Sequence, residues 1–516
     1  MLTRRLFIER VAAIGGVSLA YDAMSGLGLL EASSDPVFNL QGSVKGVRVT
    51  IVGAGIAGLT VAYELGKHGY DVIVLEARSR PGGRVHTIRR GTVSEEDGPT
   101  QVCAFDDGLY FNPGPMRIAH HHQTTLHYCK ELNVPVEVFA VAADNQWLFQ
   151  TRQPGLTNRR VRLREVRTDL DGYVAELLSK SVSAGALAQE LTKDDAERLL
   201  AYLKNLGRLD GQSKYRGQEM RGPDADSPEG EDRFTPLPLR ELLASRTGFY
   251  VDLGYEYQAT MFQVAGGMDR LPQALAARLK GKIIYDAAAR EIRQGETNVA
   301  VTYTDKDGKP RRVDADYLVC ALPLSILRDL DTDLPKPYQE AISAVPYAAA
   351  GKIGLQFKRR FWEEDDAIYG GATKTDMDIQ QIVYPSTGYL GRKGTLVGYY
   401  LQGQAGRPIG EKSPEERLKI ALEQGGRIHP QYAAEFETAF SVAWHRVKWS
   451  KGSWSATPAD VKRMLNQPDR RVYMAGDHLN MNAWMQGAFE SARHVASALH
   501  ARAMSERPAE RSRSAA

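Results

Sequence analysis

The sequence predicts an α/β protein in which a Rossmann-type domain for binding a dinucleotide is built from both ends of the chain, beside a mixed-sheet domain and a helical insert. Three observations favour this fold. A β-branched strand, a glycine-rich turn and a helix follow one another at 47–68, and residues 471–501 repeat that order. Between them, helical spacing of apolar residues at 136–250 gives way to mixed strands and helices at 351–460.

The first unit, at 47–76, is a complete βαβ motif. Gly53 allows the tight turn after the strand, Gly55 lets the backbone approach a pyrophosphate, and Gly58 lets helix and sheet pack closely. The N-terminus of the helix then faces the phosphates. Glu76 ends the second strand, where its carboxylate can accept hydrogen bonds from ribose hydroxyls. A carboxylate at this position also disfavours the 2′-phosphate of NADP.

Composition is that of an ordinary globular protein, with 43% hydrophobic and 25% charged residues. The 66 basic and 63 acidic residues leave a formal net charge of +3, which gives no electrostatic case for a nucleic-acid partner. Cys103, Cys129 and Cys320 are far apart and lack CxxC spacing. They indicate neither a zinc site nor a disulfide framework, so we expect buried, small apolar side chains.

The N-terminal segment is typical of an export signal of the twin-arginine type. Arg4 and Arg5 precede a mildly apolar stretch from Val11 to Ala20. This stretch is shorter than the ~20 residues that a membrane span needs, so no span is predicted. An amphipathic helix docked on the body is the alternative. The signal predicts a periplasmic or secreted protein; without it the protein would be cytoplasmic.

Changes of pattern along the chain predict seven segments. The polar stretch at 210–238 is rich in Gly, Pro and charge, and is either a functional lid or a disordered insert. In chain order the segments are a signal and linker (1–45), the first portion of the dinucleotide-binding domain (46–135), a helical domain (136–255), the second portion of the dinucleotide-binding domain (256–325), a substrate-binding domain (326–445), the third portion of the dinucleotide-binding domain (446–502) and a disordered tail (503–516).

Further motifs carry a resemblance to the flavin-containing amine oxidases, which include monoamine, polyamine and L-amino-acid oxidases. The second strand continues into LEARSRPGGR (75–84), and the last strand ends in YMAGDH (473–478). Both are similar to flavin-binding segments of this family. GGMDRLP (266–272) is similar to the segment in which the family's chain re-enters the FAD domain. The resemblance covers residues 46–500, interrupted at the helical region.

The resemblance implies FAD, held in a glutathione-reductase-like domain. Arg84 would neutralise the pyrophosphate, and Asp477 would meet the ribityl chain. Ser453 stands where monoamine oxidases carry the cysteine joined to the flavin, so the cofactor is expected to be non-covalent. The cofactor contacts that the motifs imply are Gly53, Gly55, Ile56, Ala57, Gly58, Glu76, Ala77, Arg78, Gly83, Arg84, Gly114, Pro115, Met116, Arg117, Ala289, Trp449, Gly476, Asp477, Ala483, Trp484, Met485, Gln486, Gly487 and Ala488.

The segment NPGPMRI (112–118) resembles the L-amino-acid oxidase branch, in which its arginine grips the substrate carboxylate. A guanidinium suits this role because it binds a carboxylate through two hydrogen bonds, and an amine substrate would have no use for it. Arg117 is therefore the predicted carboxylate ligand, with a surface or phosphate-pairing arginine as the alternative. Tyr384 resembles the tyrosine that donates to the same carboxylate, and is equally consistent with a core strand residue.

Three other positions complete the predicted site. Lys352 resembles the lysine that lies near flavin N5 through a water; the alternative is a solvated strand lysine. Ala483 and Trp484 resemble a Gly-Trp pair that lines the substrate site, and the alanine would narrow it. The predicted catalytic residues are Lys352, Arg117, Tyr384 and Trp484, and the predicted substrate-binding residues are Arg117, Tyr384, Ala483 and Trp484.

The run His120 to His122 suggests a metal site. Adjacent residues on a helix point about 100° apart, so these side chains would not converge on one ion. We therefore expect a solvated face beside the substrate arginine, and predict no metal.

Together the motifs predict FAD-dependent oxidative deamination of an L-amino acid by dioxygen, giving a 2-oxo acid, ammonia and hydrogen peroxide. Three alternatives stay open. An amino-acid 2-monooxygenase, which decarboxylates its substrate to an amide, is similar in sequence. A polyamine or monoamine oxidase is disfavoured by Arg117, and a flavin-binding scaffold without turnover is the non-enzymatic alternative. The preferred side chain is left open, and a homodimer is expected.

Overall fold

The computed structural model describes residues 38–222, 234–245, 254–480 and 483–513. The predicted twin-arginine segment lies outside these residues, as does the stretch 223–233 of the polar insert, so the predictions made for them stay predictions.

In the described ranges the strands are, in chain order, β1 (Arg48–Val52), β2 (Asp71–Leu75), β3 (Ile118–Ala119), β4 (Val136–Phe139), β5 (Trp147–Phe149), β6 (Arg160–Arg162), β7 (Met261–Val264), β8 (Ile283–Ile284), β9 (Ala288–Gln294), β10 (Val299–Thr304), β11 (Pro310–Ala315), β12 (Tyr317–Cys320), β13 (Asp331–Thr332), β14 (Gly351–Phe357), β15 (Ala372–Thr375), β16 (Gln381–Val383), β17 (Gly394–Leu401), β18 (Phe436–Ala443) and β19 (Val472–Met474).

The α-helices of the same ranges are α1 (Ile56–Lys67), α2 (Gln123–Glu131), α3 (Leu163–Ser183), α4 (Lys193–Gly207), α5 (Leu239–Ser245), α6 (Arg270–Arg278), α7 (Leu324–Leu327), α8 (Lys336–Ala344), α9 (Phe361–Glu364), α10 (Arg407–Gly410), α11 (Pro414–Ile428), α12 (Tyr432–Glu435), α13 (Ala459–Leu465) and α14 (Met485–Arg513). None of them combines the length and the apolar character that crossing a membrane would require.

A five-stranded sheet of order β19-β12-β1-β2-β8 forms the first core, and all its pairs are parallel. Val52 is in register with Leu75 on one side and Cys320 on the other, so the carboxyl ends of three strands lie level. Helices α1 and α14 pack together beside this sheet. The α/β fold, assembled from both chain ends, is confirmed. The three cysteines are buried and unpaired, as expected.

The second large sheet has the order β18-β14-β17-β16-β15-β5-β6. Its pairs are antiparallel except for β15 and β5, which run parallel, so the predicted mixed sheet is confirmed. Every residue of β14 is buried. A four-stranded sheet (β11-β10-β9-β13) and a three-stranded sheet (β3-β7-β4) complete the β-structure of the described residues.

The helical region begins later than the sequence predicts. Residues 136–162 contain β4, β5 and β6, and helix appears only from Leu163. Two of these strands are held by partners far along the chain. Val136 of β4 pairs with Val264 of β7, and Leu148 of β5 pairs with Lys374 of β15. The expectation of helix from residue 136 was therefore wrong, because local spacing carries no information about such pairing.

The described flanks of the polar insert pack on α3. The buried Asp169 carboxylate accepts hydrogen bonds from the Tyr215 hydroxyl (2.7 Å), the Arg221 Nε (3.1 Å) and the Leu237 backbone N–H (2.8 Å). These contacts fix the chain on both sides of 223–233.

Helix α14 continues to Arg513, so the predicted disordered tail is wrong for residues 503–513. The Glu506 carboxylate accepts hydrogen bonds from Tyr317, from Arg471 (3.0 Å) and from Arg502 (2.7 Å). These partners hold the extension against the parallel sheet, and charge composition alone did not reveal them.

Candidate active site

A cavity of about 400 Å³ lies where the parallel strands end, and reaches the face of β14 and β17. Val52, Leu75 and Ala321 mark the ends of three parallel strands in its wall. Lys352 of β14 and Tyr400 of β17 come from the mixed sheet. The cavity therefore joins the predicted dinucleotide site to the predicted substrate site, as expected for a ligand at the carboxyl ends of a parallel sheet.

The glycine turn between β1 and α1 is fixed by close packing. Gly53 has φ +104°, and a Cβ on it would lie 2.9 Å from the backbone oxygen of Ala321. A Cβ on Gly58 would lie 2.0 Å from the backbone oxygen of Gly53. A side chain on Gly55, in contrast, would meet no atom within 4 Å, and this residue lines the cavity. The backbone at Gly55 is therefore accessible to a ligand, while Gly53 and Gly58 on either side of it are closely packed.

Glu76 supports this turn from the end of β2. Its buried carboxylate accepts hydrogen bonds from the backbone N–H of Ala54 (2.8 Å) and of Arg78 (3.0 Å). It also lines the cavity, so the same carboxylate can face a ribose.

Arg84 and Asp477 join the two predicted flavin segments. The guanidinium donates to both carboxylate oxygens, at 2.6 and 3.2 Å, and to the backbone oxygen of Ser453. Both side chains line the cavity. A paired arginine and aspartate can offer donors to a phosphate and acceptors to hydroxyls at the same wall.

Lys352 is 1% exposed, which excludes the solvated strand lysine. Its Nζ donates to the backbone oxygens of Asn112 (3.1 Å) and Gly114 (2.5 Å), and lies 4.4 Å from the centre of the Tyr400 ring. Burial, together with the nearby charge of Arg117, lowers the pKa of Lys352 well below its ordinary value. Lys352 lines the cavity, and its depressed pKa favours the neutral amine, the form that can accept a proton.

Arg117 lies among aromatic rings. Its guanidinium carbon is 4.8 Å from the ring centre of Tyr257, 5.6 Å from that of Trp484 and 5.9 Å from that of Phe139. Its Nε is buried without a hydrogen-bond partner, and no carboxylate in the described ranges forms an ion pair with it. The residue therefore presents an uncompensated positive charge, which suits an anionic ligand.

Tyr384 does not reach the cavity, so its prediction as a substrate ligand was wrong. It is fully buried, and its hydroxyl lies 2.7 Å from Thr373 Oγ1 and 2.6 Å from His429 Nε2. Tyr400 and Tyr257 line the cavity instead. The signal that could have found Tyr400 is the alternation of β17, which directs neighbouring side chains to opposite faces.

Most other predicted site residues are brought together at this cavity. Gly58, Gln486 and Gly487 are not in its wall; the Gln486 side-chain oxygen accepts instead from Thr125, at 3.0 Å. Those that line it are Gly53, Gly55, Ile56, Ala57, Glu76, Ala77, Arg78, Gly83, Arg84, Gly114, Pro115, Met116, Arg117, Ala289, Lys352, Trp449, Gly476, Asp477, Ala483, Trp484, Met485 and Ala488.

Sequence reasoning missed several lining residues, among them Gln402, Trp444 and His478. His478 is buried, and burial lowers its pKa to about 4, so its ring is neutral. It directly follows Asp477, and its place in YMAGDH was the only sequence signal for it.

The three histidines do not form a solvated face. They precede α2, which begins at Gln123, so helical spacing does not apply to them. The Nε2 atoms of His121 and His122 lie 3.2 and 3.1 Å from the same oxygen of Glu256. The expectation that these side chains cannot converge was wrong.

The wall of the cavity fits a dinucleotide cofactor. The open backbone at Gly55 and the N-terminus of α1 suit a pyrophosphate, Glu76 suits a ribose, and the Arg84–Asp477 pair supplies both donors and acceptors. Lys352 and Arg117 line the same cavity.

Comparison with known proteins identifies a family that contains a flavin, which agrees with a dinucleotide site. The family model described as flavin containing amine oxidoreductase matches residues 56–500. The L-amino-acid oxidase of Crotalus adamanteus is 27% identical over 469 residues, which cover 86% of this chain and 85% of that protein. The flavin-dependent L-tryptophan oxidase RebO of Lentzea aerocolonigenes is 29% identical over 492 residues, which cover 88% and 98%.

Among solved structures, cyclohexylamine oxidase from Brevibacterium oxydans shares the fold, with a TM-score of 0.60 and 19% identity over 88% of this chain and 99% of that one. The family model thus matches most of the chain, and L-amino-acid oxidases are among its relatives. The chain belongs to the flavin-containing amine oxidoreductase family.

Proposed function

We propose that the protein oxidises L-amino acids with dioxygen, using non-covalently bound FAD, and releases a 2-oxo acid, ammonia and hydrogen peroxide. The observation that carries this proposal is the Arg117 guanidinium, which lines the cavity and has no carboxylate partner in the described ranges. A family member that acts on amines without a carboxylate would have no use for such a group. The relatives that act on L-amino acids support the same substrate class.

The substrate carboxylate binds Arg117, and the Tyr400 hydroxyl donates to it. Burial raises the pKa of Tyr400, so the hydroxyl keeps its proton and remains a donor. Tyr400 thus takes the role that sequence resemblance gave to Tyr384. Two contacts to one carboxylate fix the position of the α-carbon in the cavity, and such orientation can lower a barrier by several kcal/mol.

The chain also favours the neutral form of the substrate amine. The Arg117 charge disfavours a second cation in this region of the cavity. The depressed pKa of Lys352 favours the neutral amine, which can accept a proton at the position where its Nζ donates to the carbonyls of Asn112 and Gly114. A flavin, when bound, supplies the redox chemistry.

FAD is proposed as the flavin because the glycine turn and Glu76 suit the pyrophosphate and ribose of an adenine dinucleotide. Ser453 lines the cavity, and its hydroxyl donates to the backbone oxygen of Ala348 at 2.8 Å. None of the three cysteines lines the cavity, so no thiol is placed to form a bond with the cofactor. A dissociable cofactor is expected.

The test is peroxide release from the purified protein with L-amino acids, their D-enantiomers and the corresponding decarboxylated amines. We expect peroxide and 2-oxo acid from L-amino acids only. Arg117→Ala should raise KM for L-amino acids by at least about 100-fold, since a charge-assisted pair is lost from a buried site. Arg117→Lys keeps the charge but not the paired donors, and is the matched control. Its KM should lie between those of the wild type and Arg117→Ala.

The other outcomes separate the alternatives. Peroxide from amines alone, or an unchanged KM in Arg117→Ala, would overturn the carboxylate assignment. An amide product would identify an amino-acid 2-monooxygenase, and bound flavin without turnover on any substrate would favour a non-catalytic scaffold.

A further inference from the structure

His121, His122 and Glu256 converge on one point beside the substrate cavity. The Nε2 atoms of His121 and His122 lie 3.2 and 3.1 Å from Glu256 Oε2, and the three ligand atoms lie within 4.8 Å of one another. The proposed oxidation uses none of the three residues.

The cluster is buried, and some of its polar atoms lack partners. The side chains of His122 and Glu256 are 1% and 8% exposed, and that of His121 is 16% exposed. Glu256 Oε1 and His121 Nδ1 have no hydrogen bond within the described residues, whereas His121 Nε2 lies within ion-pairing distance of Glu256 Oε2. Buried polar atoms are rarely left without a partner, because each lost hydrogen bond is unfavourable. A cation held by the two Nε2 atoms and the Glu256 carboxylate would accept lone pairs from all three side chains.

The donor set and its spacing suit a first-row divalent metal. Two imidazoles and one carboxylate are common ligands of Zn²⁺. Metal–ligand bonds of about 2.0–2.2 Å in a tetrahedron place the ligand atoms about 3.4 Å apart. The two His–Glu separations of 3.1 and 3.2 Å are close to this value, and the two imidazole nitrogens lie within 4.8 Å of each other.

We propose that His121, His122 and Glu256 form a binding site for a divalent transition metal ion, with Zn²⁺ as the best-suited ion. A fourth position is left for water. The three ligands are not among the residues that line the proposed flavin cavity.

A metal here would stiffen one wall of the substrate cavity. The His122 ring lies 5.1 Å from the Trp484 ring, and Tyr257, next to Glu256 in the chain, lies 5.8 Å from Trp484. Tyr257 also contacts Arg117. A metal-bound cluster would therefore hold the aromatic rings around the proposed carboxylate ligand.

The experiment uses the flavin-loaded protein, treated with chelator and then dialysed against Zn²⁺. We expect one equivalent of bound zinc by equilibrium dialysis with elemental analysis. His121→Ala and Glu256→Gln should each weaken binding by more than about tenfold, because even partners of metal ligands contribute that much. A retained flavin spectrum and an unchanged circular dichroism spectrum show that each variant is folded.

Two matched variants separate this site from general histidine binding. His120→Ala removes the neighbouring histidine, which is outside the cluster, and His127→Ala removes another His–Glu pair, with Glu131 at 2.7 Å. Neither should change zinc affinity. The proposal is overturned if no stoichiometric zinc binds, or if His120→Ala weakens binding as much as His121→Ala.

Discussion

The Arg84 guanidinium donates a 2.6 Å hydrogen bond to the carboxylate of Asp477, which lies 393 residues further along the chain. One partner follows the opening βαβ unit, and the other follows the last parallel strand. A second bond of 3.2 Å makes the pair bidentate. The pair therefore closes the flavin domain at the wall of the cavity, where both segments meet the proposed cofactor.

Arg84→Lys should reduce flavin retention and stability together. Lysine offers one ammonium in place of a planar fork, so it cannot keep both bonds to Asp477 and the bond to Ser453. We expect a loss of about 1–3 kcal/mol in the free energy of unfolding. Flavin content after gel filtration and denaturant titration measure the two effects. Wild-type flavin content in Arg84→Lys would contradict this role for the pair.

Tyr400→Phe and Tyr384→Phe should have opposite consequences. Tyr400→Phe removes a donor to the substrate carboxylate, so KM for L-amino acids should rise about tenfold, which corresponds to roughly 1.4 kcal/mol, with little change in Tm. Tyr384→Phe leaves the buried His429 and Thr373 without a shared partner, so Tm should fall while KM stays unchanged. Steady-state kinetics and thermal melting of both variants check this. A raised KM in Tyr384→Phe alone would reverse the assignment.

Lys352→Met should lower kcat by on the order of 10²-fold, as expected when a proton acceptor is removed. Anaerobic flavin reduction and aerobic reoxidation, followed by absorbance, show which half of the reaction is slowed. Wild-type rates in both halves would remove Lys352 from the catalytic set.

Lys352→Met should also change how the free energy of unfolding depends on pH. Because the folded-state pKa of Lys352 is depressed, the unfolded chain binds a proton that the folded chain does not. Wild-type stability should therefore rise with pH towards the unfolded value of about 10.4, and the rise should be smaller in Lys352→Met. Urea titrations at pH 7, 8 and 9 measure the difference. Parallel pH profiles would mean that Lys352 is protonated in the folded protein.

Glu95→Gln should destabilise the protein at neutral pH. Burial raises the pKa of Glu95, but ion pairs with Arg80 (2.7 Å) and Arg78 (2.8 Å) outweigh it and lower the pKa to about 2. A depressed carboxyl pKa stabilises the fold above the unfolded value, and this contribution disappears as pH falls towards 2. It is on the order of 2–3 kcal/mol.

Unfolding free energies from pH 7 down to pH 3 test this prediction, and the difference between wild type and Glu95→Gln should shrink across that range. Asp107→Asn is the control, because that side chain is 90% exposed and its pair with Arg90 should contribute little. A difference that is constant with pH would show that the ion pairs with Glu95 do not stabilise the fold.

The regions of the fold that could be predicted are those with local signatures. The βαβ unit predicted at 47–76 is found as β1, α1 and β2, because its β-branched runs, its glycines and its acidic residue all lie close together in the sequence. Strands β4 and β5 could not be found this way, since each is held by a partner far along the chain, and β6 in turn pairs with β5. Propensity over four residues is too weak to outweigh such long-range pairing.

The candidate site shows the same division. The glycine turn, Arg84 and Arg117 belong to motifs whose chemistry is readable from residue type. Tyr384 was assigned to the site by resemblance, but Tyr400 is the one that lines the cavity. Which tyrosine faces the cavity depends on strand register, which the sequence does not show. The histidine cluster was misjudged because helical geometry was assumed for residues that precede α2.

The order β19-β12-β1-β2-β8 has a consequence for biosynthesis. At the ribosome's rate of roughly 5–20 residues per second, β1 is made tens of seconds before β19 and α14. During that interval the apolar surface of α1 that α14 later covers must be shielded by a chaperone or by temporary contacts. Since Asp477 and Ala488 belong to the cavity wall, that wall is complete only after this last part of the chain has been made.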